Sequence, residues 1–232
     1  MKDFTLTDKR VVLLSGHYGS GKTNISVNLA ERFAAQIEAG DSRWRGVSLA
    51  DLDIVNPYFR SADSADELMA CGVRLICSAY VNTNIDVPAL PQEMYSIVDD
   101  RSVRAVIDVG GDERGALALG RLSERIISEH DYDMFLVINR FRPLTRTAAD
   151  TVEIAREIEI AGHLPFTGII NCSNLGAETE PDTVLSSMGY AEEVSKLMNI
   201  PVVATAVEEH IYKELTGKIE HLLPLKLQKR PI

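Results

Sequence analysis

Paired cysteines are missing from this sequence. Its three cysteines, Cys71, Cys77 and Cys172, sit in apolar surroundings and form no C-x-x-C or C-x-C pair. That counts against a structural zinc or a cysteine-held cluster within one chain, and leaves reduced, buried thiols in a cytoplasmic protein as the expectation. Basic residues are in deficit too: 24 Lys and Arg against 34 Asp and Glu give a net charge of −10. Non-specific binding to nucleic acid or to an anionic membrane needs a basic face, so both are disfavoured. No apolar run approaches the ~20 residues of a membrane span, and Met1 to Arg10 is polar. The basic and apolar mixture from Leu222 to Arg230 is interrupted by Pro224, which argues against a membrane-surface helix there. Linker-like composition shifts, repeats and low-complexity tracts are absent as well. The 232 residues, 45% hydrophobic and 25% charged, therefore read as one domain over 1–232.

Against these absences stands one dense motif. Gly16-His17-Tyr18-Gly19-Ser20-Gly21-Lys22-Thr23 fits G-x-x-x-x-G-K-[ST], with the apolar run Val11 to Leu14 ahead of it and helical spacing of apolar residues from Asn24 to about Ala39 behind. A strand, a glycine loop and a helix in that order form a phosphate-binding junction. Backbone N–H groups of the loop face the phosphates, and the helix that Asn24 continues presents its positive dipole end to the same anions. Lys22 is placed to reach the β- and γ-phosphates, and the Thr23 hydroxyl to ligate Mg²⁺.

Further along, short apolar runs alternate with helical patterns. Strands are expected at Val47–Ala50, Val73–Ser78, Arg104–Val109, Met134–Ile138, Phe166–Ile170 and Pro201–Val207. Helices are expected at about Ala62–Ala70, Pro88–Val98, Glu113–His130, Thr145–Ala161, Asp182–Met198 with a break near Gly189, and Glu208–Leu222. The tail from Leu223, with Pro224 and Pro231, is expected to lack regular structure. The rhythm predicts an α/β fold: a doubly wound, mostly parallel sheet of about seven strands with helices on both faces. Ligands in such sheets sit beyond the carboxyl ends of the strands, and the chemistry-bearing residues all fall at such ends.

Asp108 closes one strand, where a carboxylate can hold Mg²⁺ directly or through water. Gly110 and Gly111 beside it allow a backbone N–H to approach a γ-phosphate. Asp51 and Asp53 end the second strand, which this topology is expected to place next to the glycine loop. Alternation puts both on one face. Asp53 is the candidate to orient an attacking water, with Asp51 supporting the metal or the strand end. For the base, two loops follow strands: Asn139-Arg140 and Asn171-Cys172-Ser173-Asn174. An Asn side chain offers both donor and acceptor to a purine edge. Neither loop contains N-K-x-D, whose Asp would accept from guanine, which favours ATP over GTP.

With these pieces in place the chain resembles the MinD/ParA family of P-loop ATPases, over about Arg10 to Val207. The motifs that carry the resemblance are Gly16–Thr23 with Asn24 to Ala30 after it, Asp51-Leu52-Asp53, Asp108-Val109-Gly110-Gly111 and Gly168-Ile169-Ile170-Asn171. The resemblance implies phosphate and Mg²⁺ binding at Lys22 and Thr23, a switch aspartate at Asp53, a magnesium-side aspartate at Asp108 and an adenine-reading Asn171. It also implies an ATP-dependent homodimer and hydrolysis that releases a protein partner or cargo. One position departs from the family: its signature lysine is replaced here by His17, and Arg60 or Arg114 are candidates to supply the missing charge. Tyr58 and Phe59 are candidates for a partner contact. Two other readings of the same fold are an ATP-dependent ligase or kinase of the dethiobiotin or cobyrinic acid synthase type, with His17, Tyr18 and the loop from Tyr80 to Pro91 lining an acceptor pocket, and a metallochaperone.

Overall fold

The protein was analysed as a computed structural model that describes residues 5–53, 62–77 and 92–227. The first strand shows why a parallel sheet forms. β1 (Val11–Ser15) is buried along its whole length. Val11 and Leu13 join one apolar cluster while Val12 and Leu14 join the other, so the consecutive apolar run serves both faces of a covered strand.

The chain continues through α1 (Lys22–Glu38), β2 (Gly46–Leu52), α2 (Ala62–Ala70), β3 (Val73–Cys77), α3 (Gln92–Asp99), β4 (Val103–Val109), α4 (Glu113–Glu129) and β5 (Tyr132–Ile138). A 3-10 turn at Pro143–Thr145 precedes α5 (Ala148–Gly162), β6 (Gly168–Asn171), α6 (Pro181–Leu185), α7 (Met188–Met198), β7 (Val202–Glu208), α8 (Glu209–Leu215) and β8 (Leu222–Leu225). These strands form one eight-stranded sheet in the order β3-β2-β4-β1-β5-β6-β7-β8, and every neighbouring pair is parallel. α1 and α2 pack on one face, burying Ile25, Leu29, Phe33 and Leu68 with Val12, Leu14 and Val106. α3, α4, α5 and α7 cover the other with Ile97, Leu119, Ala155 and Val194 against Val11, Leu13 and Ile107.

The amino ends of the strands are tied by two buried arginines. Arg10 pairs with Glu129 and donates to the carbonyls of Ile97 and Val103, each at 2.9 Å. Arg104 donates to the Thr7 carbonyl at 2.6 Å and lies 3.4 Å over the Phe33 ring. The opposite, carboxyl edge is thereby left to the loops that carry the site.

The α/β architecture and two-sided cover match the sequence reading, with one strand more than expected. The tail from Leu223 is not without structure: Leu222 to Leu225 pair with Thr205 to Glu208 as β8. Pro224 is tolerated because β8 lies at the sheet edge, where a missing N–H costs no ladder bond on the open side. The last helix is correspondingly shorter, ending at Leu215 before Gly217 turns the chain at φ 82°. The break in the 181–198 helix falls at Ser186 and Ser187, ahead of Gly189. The second strand is not beside the glycine loop. β4 is inserted between β1 and β2, which makes Asp108 the nearer carboxylate and Asp51 the more distant one.

Candidate functional site

β1 delivers the chain into Gly16, and α1 begins after Gly21, whose φ of 100° turns the backbone from loop to helix. No side chain caps that helix start, so its first N–H groups are open to a bound anion. Lys22 is buried, and its ammonium donates to the His17 carbonyl at 3.3 Å, the same oxygen that accepts from the Ser20 N–H at 3.1 Å. Burial lowers the Lys22 pKa, and the carboxylates of Asp108, Asp53 and Asp112 push it back up. His17 is shifted down by burial and by the nearby Lys22 charge, so it is neutral at physiological pH. Tyr18 points outward at the crest of the loop, 65% exposed.

Thr23 and Asp108 meet although 85 residues separate them: the Thr23 hydroxyl donates to Asp108 Oδ2 at 2.7 Å. Asp108 is buried, and its other oxygen, Oδ1, has no hydrogen-bond partner among the described residues. Burial raises the Asp108 pKa to about 6, against the opposing pull of Lys22 and the Thr23 bond. A buried, unsatisfied carboxylate oxygen beside a hydroxyl is an oxygen donor set that suits a hard divalent cation. The residues present therefore fit Mg²⁺. Asp51 sits across the β2–β4 register from Asp108, and its Oδ1 accepts the Asp53 N–H at 2.9 Å. Asp53 lies just past the strand end, against Gly110.

Gly111 packs so tightly on the glycine loop that a Cβ there would overlap the Gly16 carbonyl oxygen. The Asp108–Gly111 segment and Gly16–Thr23 are therefore in direct backbone contact. Asp112 then caps α4 by accepting from the Gly115 N–H at 2.9 Å.

On the other side of the loop a cleft is lined by Gly21, Asn24, Ser173, Asn174, Val207 and Glu208, between the ends of β6 and β7. The two Asn candidates do not open into it freely. Asn171 is fully buried: its Nδ2 donates to Ser187 Oγ at 2.9 Å, and its Oδ1 accepts from the Ser173 hydroxyl at 2.7 Å and the Ser173 N–H at 3.2 Å. Asn139 is buried likewise, with Oδ1 accepting from the N–H groups of Phe141 and Asn174 at 3.0 and 3.4 Å. Both side chains brace the loops that wall the cleft. The Glu208 carboxylate, at the cleft rim and 3.2 Å from His210 Nδ1, was not singled out from sequence.

A second residue missed from sequence is Arg142, whose Nε donates to the Gly19 carbonyl at 2.8 Å. Its signal was the run Arg140-Phe141-Arg142 directly after β5. Arg60, Tyr58, Phe59, the Tyr80–Pro91 loop and the side chain of Arg114 lie outside the described residues.

No protein-family model matches the chain, and no curated protein matches it significantly. Solved structures do. The chain is similar to FtsY from Mycoplasma mycoides, with a TM-score of 0.51 at 19% identity over 86% of this chain and 61% of that one. It is similar to the signal recognition particle 54 kDa protein from Aeropyrum pernix K1 in complex with GDP, at 0.52 and 15% over 87% and 42%. Cell division protein FtsY from Thermotoga maritima gives 0.51 and 18% over 88% and 66%. The fold is that of a P-loop NTPase. The chain spans less than two thirds of each of these proteins, and identities this low carry the fold alone. The second is named as a signal-recognition protein and the third as a cell-division protein, names other than those of the family that the sequence motifs resemble. Among the described residues no helix is long and apolar enough to cross a membrane.

Proposed function

We propose that residues 1–232 form one nucleotide-binding domain that binds and hydrolyses Mg-ATP and acts as a MinD/ParA-like switch read by a protein partner or cargo. The observation that carries this reading is the meeting of Thr23 and Asp108 beside Lys22, a hydroxyl and an unsatisfied carboxylate next to a buried ammonium at an uncapped helix start. A site of that composition suits a metal-bound polyphosphate.

In this reading Gly16 to Thr23, with Asn24, wrap the phosphates. Lys22 leaves the His17 carbonyl to meet the β- and γ-phosphates. Thr23 and Asp108 hold Mg²⁺ by their side-chain oxygens, with Asp51 behind Asp108 on the next strand. Bound there, Mg²⁺ would offset phosphate charge. Asp53 orients the attacking water, and the backbone at Gly110 and Gly111, already touching the loop, answers to the presence of the γ-phosphate. Asn171 fixes the wall of the base cleft, and the Glu208 carboxylate at its rim suits the exocyclic amine of adenine.

Equilibrium binding of Mg-ATP and Mg-GTP to the wild type and to Lys22→Ala tests the reading. Tighter binding of ATP, weakened by roughly a hundredfold in Lys22→Ala as charge-assisted phosphate bonds are lost, is the expected result. Failure of the wild type to bind either nucleotide overturns it, and tighter binding of GTP overturns the base assignment.

A further inference from the structure

The phosphate loop has little positive charge for the ligand its shape accommodates. Within Gly16–Thr23 the one fixed cation is Lys22, and the carboxylates of Asp108, Asp53 and Asp112 act on it electrostatically. His17 is neutral, held so by burial and by Lys22 itself. A polyphosphate entering this loop would meet more carboxylate than ammonium, and a bound Mg²⁺ sits on the carboxylate side.

Arg142 approaches the loop from the opposite flank, and the turn that carries it is firmly built. The Arg142 N–H donates to the Asn139 carbonyl and the Thr145 N–H to the Arg142 carbonyl, each at 3.2 Å, and the Thr145 hydroxyl closes the turn on Asn139 O at 2.7 Å. From that base the guanidinium lies over Gly19, where a Cβ would stand 3.2 Å from Nε and 3.5 Å from Cζ. Its Nε holds the Gly19 carbonyl at 2.8 Å. The peptide pinned in this way continues into the Ser20 N–H, which donates to His17 O, the oxygen on which Lys22 rests. A continuous path of hydrogen bonds therefore runs from the turn after β5 to the loop lysine.

We propose that Arg142 is a positioning residue for the nucleotide phosphates: it fixes the His17–Ser20 turn through Gly19 and adds the positive charge that the loop lacks. This rests on the nucleotide-binding reading above. The side chain serves in cis, and its removal weakens phosphate binding without touching base recognition.

The test is equilibrium binding of Mg-ATP, Mg-ADP and adenosine to the wild type, Arg142→Ala, Arg142→Gln, Arg142→Lys and the double variant Arg142→Ala/His17→Lys, at low and high salt. Expected are a loss of about tenfold or more in Mg-ATP affinity for the Ala and Gln variants, as for loss of a charged hydrogen-bond partner. Adenosine binding should be unchanged, the salt dependence shallower, and recovery should follow in the Lys variant and in the double variant, where position 17 supplies the charge. Arg142→Gln keeps a long polar side chain, so it reports on charge even where Arg142→Ala folds poorly. Wild-type affinity in Arg142→Gln overturns the proposal. So does an equal loss for adenosine and ATP, or a loss that neither lysine restores. A wild type that binds no nucleotide at all overturns instead the function on which the proposal rests.

Discussion

Asp108 and Lys22 are each buried in a direction that opposes their own charge, the carboxyl pushed up and the ammonium pushed down. Sites that await a ligand carry such strain, because the protein alone does not complete the solvation that burial removed. The sign for Asp108 follows from linkage. Its folded pKa of about 6 lies above the ordinary 3.8, so its contribution to stability is fully present below 3.8 and is lost as pH rises through 6. Nucleotide-free wild type should therefore gain thermal stability between pH 7.5 and 5 relative to Asp108→Asn, by about 1 kcal/mol from this group. Mg-nucleotide affinity should fall over the same window, because the metal needs the carboxylate. Parallel melting profiles for the two proteins would contradict the assignment. At Gly111 the constraint is steric. Substitution by Ala forces the 108–111 segment off the Gly16 carbonyl, and a loss of turnover larger than the loss of nucleotide affinity is expected, measured as kcat against KM.

Among the elements, β1, the glycine loop and α1 are legible from residues alone, because an apolar run, a glycine-punctuated turn and a helical period are all local signals. Strand order is not local. Asp51 is the next-to-last residue of its strand and Asp53 lies just past its end, yet the insertion of β4 between β1 and β2 is a packing outcome that no spacing in the sequence encodes. Arg142 was hidden for a related reason: its partner Gly19 is 123 residues away. The Asn171 amide shows a different gap, since a side chain of the right chemistry at the right strand end is committed to Ser173 and Ser187. β8 was concealed by its proline, and what fixes it is again distant. Asn28 on α1 donates to the Lys226 carbonyl at 3.0 Å and accepts the Lys226 N–H at 2.9 Å. Asn28→Ala should cost about 1–3 kcal/mol in global or local stability and speed hydrogen exchange from Leu222 to Leu227. Unchanged exchange there would show that β8 is held without Asn28, by its pairing to β7, the Arg32 bond to the Pro224 carbonyl and the packing of Leu223 and Leu225.

At the scale of the molecule, one edge of the sheet is tied and the other is left to the ligand. The amino ends are closed by Arg10 with Glu129 and by Arg104 over Phe33, while the carboxyl ends carry the glycine loop, Asp108 and the cleft between β6 and β7. A ligand that binds this open edge should stabilise the whole fold by mass action, about 2.7 kcal/mol at a hundred times Kd, which for a chain this long is a rise of about 5–10 °C in Tm. Whether the loaded edge also finds a partner is a separate matter. Tyr18, Leu144 and Leu175, 65%, 61% and 48% exposed, follow β1, β5 and β6, which are neighbours in the sheet, so the loops at this edge carry exposed apolar side chains. Asp53→Ala should slow hydrolysis and hold the loaded state. Light scattering after size exclusion should then show a dimer with Mg-ATP and a monomer without nucleotide, and Tyr18→Ser in the same background should weaken that dimer while leaving nucleotide affinity within about twofold, since backbone N–H groups make the phosphate contacts of such loops. A monomer at saturating Mg-ATP would remove the homodimer and leave these side chains to a different protein. A dimer already present without nucleotide would separate assembly from the switch altogether.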